Sequence, residues 1–310
     1  NVLKVFHAGR QDIEIFHHLA AVIPHPLFDT QIAAMVCGFG DQVGYEQLVN
    51  RLAKASIDKS SRFTDWARRP LTEQQLSYAI ADVTHLRVIF EKLCGMIRRS
   101  GREPWLKEEM DILASPATYA QHPEDAWKRL KARLRKPRQL AALRALAAWR
   151  EREAQARDMP RRRVLKDEAL IELATQLPAD ERQLAALRSI SPGQARSATG
   201  RALLKVIAEV QALPEDALPQ PARGKPQPPE GAGAKADILK LALKIVSERE
   251  RIAPKLIAPA ADLERIAAGE TDVPALQGWR RAVFGDLAQK LLAGQMVIGI
   301  QDGKPAIMPS

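Results

Sequence analysis

The chain has 310 residues, 46% hydrophobic and 27% charged, with a formal net charge of +10. That length is too great for one small core and predicts two or three domains, while the composition excludes a disordered chain. No apolar run reaches the roughly 18 residues a bilayer span needs, and the positive excess favours a polyanionic partner, whether nucleic acid or a membrane surface.

The first segment, 1–115, mixes short apolar strands with helical periodicity. No signal peptide is recognisable. Because the chain opens on Asn1 and runs straight into strand-like "VLKVFH", its true start is expected upstream. After the strand at 2–7 comes an amphipathic helix at about 10–21, then a turn at "IPHPLFDT", where two prolines stop the helix. "TQIAAMVCGF" resumes helical spacing, "GYEQLVNRLAKA" is a further short helix, and "DKSSRFTDWARRP" is a polar connector. From Leu71 to Gly101 one long helix is predicted. Thr72 and Gln75 form its capping box, Leu76, Ile80, Val83, Phe90, Leu93 and Ile97 supply a core-facing stripe, and Gly101 ends it. Strand alternating with helix suggests an α/β sheet domain.

The remainder is rich in Ala, Leu and Arg and reads as helix almost throughout. Residues 116–136 are a connector that enters a basic helix, "KRLKARLRK", and 137–214 form a compact helical domain. The Pro/Gly-rich stretch 215–235 holds no core and acts as a tether. A second helical domain spans 236–306. Its "VSERERIAPKLIAPAADLERIA" matches "AAWREREAQARDMPRRRVLKDEALIELA" of the first, and each is followed by Arg, three residues and a Gly that opens a Leu-rich helix. A duplicated module accounts for this.

Two cysteines, Cys37 and Cys94, without CxxC spacing, argue against a disulfide framework or a zinc site and fit a reducing cytoplasm. Chemistry is sought in three other residues. Tyr78 and Asp82 lie four apart on the long helix and share a face. Asp12 falls in the first turn of a helix that follows a strand, where α/β proteins gather their sites. Converging carboxylates suit Mg²⁺ or Mn²⁺, and a phenol beside them can position an attacking water, which is the equipment of two-metal phosphodiester hydrolysis. Each residue also has an ordinary explanation. The helix macrodipole alone favours Asp12, Tyr78 could be a core aromatic, and Asp82 could be solvated. His7, His17, His18, His25 and His85 show no ligand spacing and read as structural or surface, although His85 shares the face of Tyr78.

The blocks "VFHAGRQDIEIF", "LFDTQIAAMVCGFGDQVGYEQLV" and "DKSSRFTDWARRPLTEQQLSYAIADVTHL", with the helical domains behind them, resemble the ribonuclease D family. These are 3′–5′ exoribonucleases of the DEDD superfamily, in the subtype whose third motif is Y-x3-D. The resemblance implies an α/β ribonuclease H-like exonuclease domain, incomplete at its N-terminus, followed by two all-α HRDC-like helical domains that bind nucleic acid. It implies metal binding by Asp12 and Asp82 and orientation of the nucleophilic water by Tyr78. It further implies release of nucleoside 5′-monophosphates in the cytoplasm, from precursor tRNAs and other small structured RNAs. The family's first motif, D-x-E, is expected upstream of residue 1. Without it, these 310 residues are expected to be inactive and to expose an unsatisfied sheet edge. A DNA-directed exonuclease and a non-catalytic nucleic-acid-binding module remain alternatives.

Residues 131–214 hold 18 Lys/Arg against 9 Asp/Glu, nine of the ten net charges. The densest patches include Lys128, Arg129 and Lys131, and the run Arg161, Arg162, Arg163. Such a concentration favours a phosphate-binding face over an ordinary solvated one. In the first domain, Lys59, Arg62 and Arg68 around Trp66 are candidates for backbone or base contact, with Trp66 itself read as a core anchor. The nearly balanced C-terminal domain is expected to shape the substrate path.

Overall fold

The computed structural model describes residues 2–120, 122–132, 134–220 and 229–310. Two compact units emerge: the described residues up to 119 join those from 229 onward, and 120–220 form the other. Sequence texture expects a C-terminal helical domain standing apart, but in the structure it shares one core with the N-terminal segment. Of the predicted tether at 215–235, residues 221–228 lie outside the described residues, while Glu215–Ala217 forms a short 3₁₀ helix and residues 232–235 already belong to a helix.

In the first unit, β1 (Lys4–Phe6) leads to α1 (Arg10–Ala20) and pairs in parallel with β2 (Leu27–Asp29), in register Lys4 to Leu27 and Phe6 to Asp29. The stretch "IPHPLFDT" is therefore a turn followed by a buried strand. Then come α2 (Thr30–Val36), α3 (Tyr45–Leu48) running into a π-helical turn at Val49–Ala53, α4 (Glu73–Ser100) and α5 (Glu103–Leu113). The 28-residue α4 has the predicted ends. Thr72 and Gln75 exchange capping-box hydrogen bonds, and Gly101 closes the helix in the left-handed region.

The apolar stripe of α4 divides in two. Ile89, Leu93 and Ile97 are buried, whereas Leu76, Ile80 and Val83 are 40%, 61% and 70% exposed. The expectation of a continuous core-facing stripe therefore fails for its N-terminal half. The π-helical turn and α2 pack on α4, and the side chains its core retains lie toward the C-terminal end.

The C-terminal segment contains α12 (Ala232–Glu250), α13 (Pro254–Ile257), α14 (Ala260–Ala267), α15 (Gly278–Arg280) and α16 (Asp286–Leu292), so it takes the next labels after the helices of the second unit. It is not all-α. β3 (Met296–Gln301) and β4 (Lys304–Pro309) close it as an antiparallel hairpin, turning at Asp302 and Gly303, both with positive φ. Backbone capture holds it to the N-terminal segment. Arg102 donates to the carbonyls of Val36, Glu250 and Arg251, and the Ala253 amide donates to the Met35 carbonyl at 3.0 Å. Gly38 is required here. Its φ is +79°, and a Cβ would sit 2.4 Å from the Arg251 carbonyl oxygen. Trp105 stacks on Trp279 at 4.9 Å, and buried Glu109 accepts from Trp279 Nε1 and Arg280.

The second unit holds α6 (Pro137–Ala156), α7 (Arg161–Val164), α8 (Asp167–Gln176), α9 (Glu181–Ala185), α10 (Pro192–Arg196) and α11 (Ala198–Gln211) around Leu143, Leu146, Leu170, Leu173, Leu203 and Ile207. Among the described residues of 128–136 the predicted basic helix does not form, and Pro123–Arg129 makes a short 3₁₀ helix. Leu130 is already extended (φ −83°, ψ 127°), and Lys136, restricted by Pro137, is extended at φ −87°, ψ 128° before the next helix starts. Gly200 is held close to the preceding helix, where a Cβ would lie 2.1 Å from the Ala195 carbonyl oxygen.

Removing Glu109 strands two buried donors. Glu109→Ala should destabilise the first unit by about 3 kcal/mol, and Glu109→Gln by clearly less, because the amide oxygen still accepts. Denaturant unfolding monitored by Trp fluorescence measures both, and equal losses in the two variants would contradict the assignment.

Candidate active site

The turn between β1 and α1 is built around one buried carboxylate. Asp29, 2% exposed, accepts from the amides of Ala8 (3.2 Å) and Gly9 (2.7 Å), and its Oδ1 also accepts from Gln31 and Ile32, capping α2. Thr30 adds a hydroxyl donation to the Phe6 carbonyl at 2.9 Å. Gly9 is needed because a Cβ there would meet Phe6 Cβ at 2.5 Å. The turn delivers Asp12 to the exposed first turn of α1.

On α4, Tyr78 and Asp82 are half-buried on one face, with His85 close enough to influence Asp82. Burial pushes the Asp82 carboxyl above its ordinary value, and His85 opposes that rise. Tyr45 connects this face to the β1–α1 turn. Its hydroxyl donates to the Asp82 carbonyl at 2.6 Å, and its ring lies 5.4 Å from the His7 ring. Burial first, then the nearby Asp82 carboxylate, drives the Tyr45 hydroxyl pKa far upward, so it stays a donor. His7 pairs with the Thr30 hydroxyl at 3.1 Å. A continuous set of contacts thus runs from the start of α1, through His7 and Tyr45, to the backbone of Asp82. Among the described residues Asp12 itself makes no hydrogen bond to Tyr78 or Asp82.

The loop before α4 is fixed to the same place. The Gln75 amide donates to the Thr64 hydroxyl (3.0 Å) and the Asp65 carbonyl (3.1 Å). Trp66 lies 5.9 Å from Tyr78, ring to ring, and is half-buried. It is a neighbour of the candidate site and not a core anchor.

Residues 1–98 match the family described as 3′–5′ exonuclease, and 139–207 match the HRDC domain. Ribonuclease D of Nitrobacter hamburgensis is 50% identical over 305 residues, covering 98% of this chain and 79% of that protein. Ribonuclease D of Gluconacetobacter diazotrophicus is 47% identical over 310 residues, 100% of this chain and 79% of that protein. The chain belongs to the ribonuclease D family. It is accordingly a 3′–5′ exoribonuclease whose substrate is RNA. The crystal structure of Escherichia coli RNase D, described as an exoribonuclease involved in structured RNA processing, superposes with a TM-score of 0.82 at 33% identity, over 94% of this chain and 79% of that one.

Exonucleases of this family depend on divalent metal. Asp12 and Asp82 offer the hard oxygen donors such ions require. Their number is short of a cage, because among the described residues no three His, Cys, Asp or Glu side chains gather closely enough to hold an ion. Two carboxylates are sufficient only where water and substrate phosphates supply the remaining ligands.

The candidate RNA-binding cations differ in how free they are. Lys59 pairs with Glu46, and Arg62 lies over the ring of exposed Phe63 at 5.1 Å, while Arg68 is exposed. Lys128 pairs with Asp125 at 2.7 Å. Arg129 and Arg161 face buried Glu151 at 3.9 and 3.5 Å. Lys131, Arg162 and Arg163 are exposed and, among the described residues, make no ion pair.

Asp29 and Tyr45 escaped the reading of the sequence, whereas His7, read as structural or surface, is tied to the Thr30 hydroxyl. For Asp29 a signal existed: an acid directly before "TQIAAMV" is an N-cap pattern. Tyr45 had none, since nothing local connects it with a helix more than thirty residues later.

Two predictions follow from this geometry. Asp29→Ala leaves buried amides unpaired and should cost about 3 kcal/mol; a chemical-denaturation loss below about 1 kcal/mol would show that the turn stands without it. Burial lowers the His7 pKa from its ordinary 6.5, against a raising influence of Asp29. The unfolded chain therefore takes up the extra proton, and stability present above pH 6.5 is lost as pH falls through the folded value. Melting temperatures at successive pH values should fall more steeply for the native chain than for His7→Asn.

Proposed function

We propose that this protein trims 3′ ends of precursor tRNAs and other small structured RNAs, with Mg²⁺ or Mn²⁺ in a two-ion site. Asp12 and Asp82 act as metal ligands, and Tyr78 orients the attacking water. The observation that carries this reading is the shared face of Tyr78 and Asp82, joined through Tyr45 and His7 to the turn that presents Asp12. When bound, the ions supply charge neutralisation at the attacking and leaving oxygens.

The residues of the chain divide the remaining work. The Tyr78 hydroxyl, on a helix locked at its N-terminus by the capping box, is a fixed hydrogen-bonding point for a water molecule. Burial raises the Asp82 pKa, and a half-buried carboxylate attracts a cation more strongly than one fully in water. Hydrolysis of the terminal phosphodiester releases a nucleoside 5′-monophosphate and leaves a new 3′ hydroxyl. The positive second unit contributes RNA affinity through phosphate contacts. We place the protein in the cytoplasm; no helix among the described residues is long and apolar enough to cross a membrane.

Asp12 and Asp82 do not by themselves complete a two-ion site, so these 310 residues alone should bind RNA without degrading it. A chimera that adds to these residues the part of the Nitrobacter hamburgensis ribonuclease D they do not cover should shorten a 3′-extended tRNA transcript from its 3′ end. In that longer protein Asp82→Asn should abolish turnover and Tyr78→Phe should slow it about 100-fold, with RNA affinity changed less than about threefold in both. Retained turnover in Asp82→Asn removes Asp82 from the mechanism, and equal degradation of a matched DNA strand reassigns the substrate class.

A further inference from the structure

The second unit contains a cavity of about 500 Å³ whose lining includes Arg162, Arg163, Lys166 and Arg188, and no carboxylate. All four cations are exposed and, among the described residues, none makes an ion pair. We infer that this cavity is a dedicated pocket for a backbone phosphate of the RNA strand. The inference rests on the reading of this chain as an RNA-binding exoribonuclease and goes further by assigning a discrete contact point.

Like charges converge on one cavity at a cost, and the fold fixes both walls without using the charges that line it. Buried Arg150 donates to the Leu165 carbonyl at 2.9 Å and to Asp167 at 2.7 Å, securing the turn that carries Arg162, Arg163 and Lys166. On the other wall, Glu172 accepts from the amides of Arg188 (3.0 Å) and Ser189 (2.9 Å) and from the Ser189 hydroxyl, fixing the turn that carries Arg188. The Ser189 hydroxyl bond is the main reason the Glu172 pKa is lowered, and the charge of Arg188 contributes to it, so Arg188 is partly balanced while Arg162, Arg163 and Lys166 make no ion pair among the described residues. The result is a cradle with an excess of positive charge, which a phosphate oxygen can enter without reorganising the protein.

The chain contains its own control. The C-terminal segment repeats the local path: a four-residue helix at Arg161–Val164 corresponds to one at Pro254–Ile257. The residues that follow match in backbone angles. Leu165 (φ −160°, ψ 138°) corresponds to Ala258 (φ −153°, ψ 116°), and Lys166 (φ −70°, ψ 156°) to Pro259 (φ −67°, ψ 158°). In that copy Arg162, Arg163 and Lys166 are replaced by Lys255, Leu256 and Pro259. Lys255 keeps a cation at one of the three positions, but Leu256 and Pro259 form the same backbone without charge, so the turn does not need Arg163 or Lys166 for folding.

Phosphate chemistry could reach this pocket as an RNA diester or as a free monophosphate, and one experiment on the 310-residue chain separates the two. Affinity for an unstructured uridine oligonucleotide is measured against salt for the native chain, for Arg162→Gln with Arg188→Gln, and for a reference pair with the same charge change, Arg157→Gln with Arg182→Gln. Loss of two contacts to a single strand should lower the slope of log affinity against log salt by about 1.4 in the cavity variant. Affinity there should fall about tenfold and the reference variant should change less than about threefold, while Arg162→Lys with Arg188→Lys should restore most of the loss. Equal weakening in both glutamine pairs, or in neither, overturns the pocket while leaving RNA binding by the protein intact. Absence of RNA binding by the native chain removes the pocket together with the functional reading. Uridine 5′-monophosphate or inorganic phosphate binding the native chain but not the cavity variant, with RNA affinity unmoved, assigns the pocket to a free anion and overturns the RNA assignment.

Discussion

One buried carboxylate organises the candidate active site of this molecule. Asp29 ends β2, caps α2 and accepts the two amides that turn the chain from β1 into α1. A three-residue parallel pair such as β1 and β2 has too few ladder hydrogen bonds to fix the direction in which the chain leaves it. The carboxylate supplies that direction, because four amides around two oxygens define where both helices start. Asp12, three residues beyond Gly9, inherits its position from Asp29.

The second half of the site is organised differently. Tyr78 and Asp82 lie on a 28-residue helix whose register is set at the N-terminus by Thr72 and Gln75. Gln75 also holds the preceding loop through Thr64 and Asp65, so the capping residue brings Trp66 against Tyr78. Tyr45 bonds to the helix backbone at Asp82 and not to the carboxylate. Its contribution is therefore one of position: the Asp82 side chain remains available to a cation while its main chain is tied to the β1–α1 turn through His7. Apolar surface on the same helix, at Ile80 and Val83, stays exposed beside these polar groups.

The parts legible in the sequence are those governed by local rules. The ends of α4, the first-turn position of Asp12 and the shared face of Tyr78 and Asp82 follow from capping chemistry and helical period. Local rules were also sufficient for two features that were not read from them: the Asp29 cap, and the C-terminal hairpin announced by "DG" between "MVIGIQ" and "KPAIM". Other features depend on distant partners. β2 follows two prolines and is only three residues long, so its strand character comes from pairing with β1. Leu76, Ile80 and Val83 have core periodicity, but periodicity says which face is apolar and not whether anything covers it. That the segment from 229 onward shares a core with the N-terminal segment depends on Arg102, Gly38 and Glu109, whose partners are carbonyls and side chains far along the chain.

Two turns of this chain, at 161–166 and 254–259, share a backbone path and use it differently. In the C-terminal copy, Leu256 and Ile257 are buried, and Glu109 on α5 engages Trp279 and Arg280 a short way beyond them. That copy spends its surface on packing, and apolar or conformationally restricted residues suit it. In the other copy Val164 and Leu165 still fill the local core, but the positions equivalent to Leu256 and Pro259 carry Arg163 and Lys166, exposed to solvent. Buried apolar positions are kept in both because each module needs them to close. The outward positions are free of that demand, and charge can accumulate there without altering the path of the chain. Nine of the ten net positive charges of the protein lie between residues 131 and 214, where Arg163 of this turn is exposed, whereas Leu256 at the corresponding position of the C-terminal segment is buried in the core it shares with the exonuclease segment.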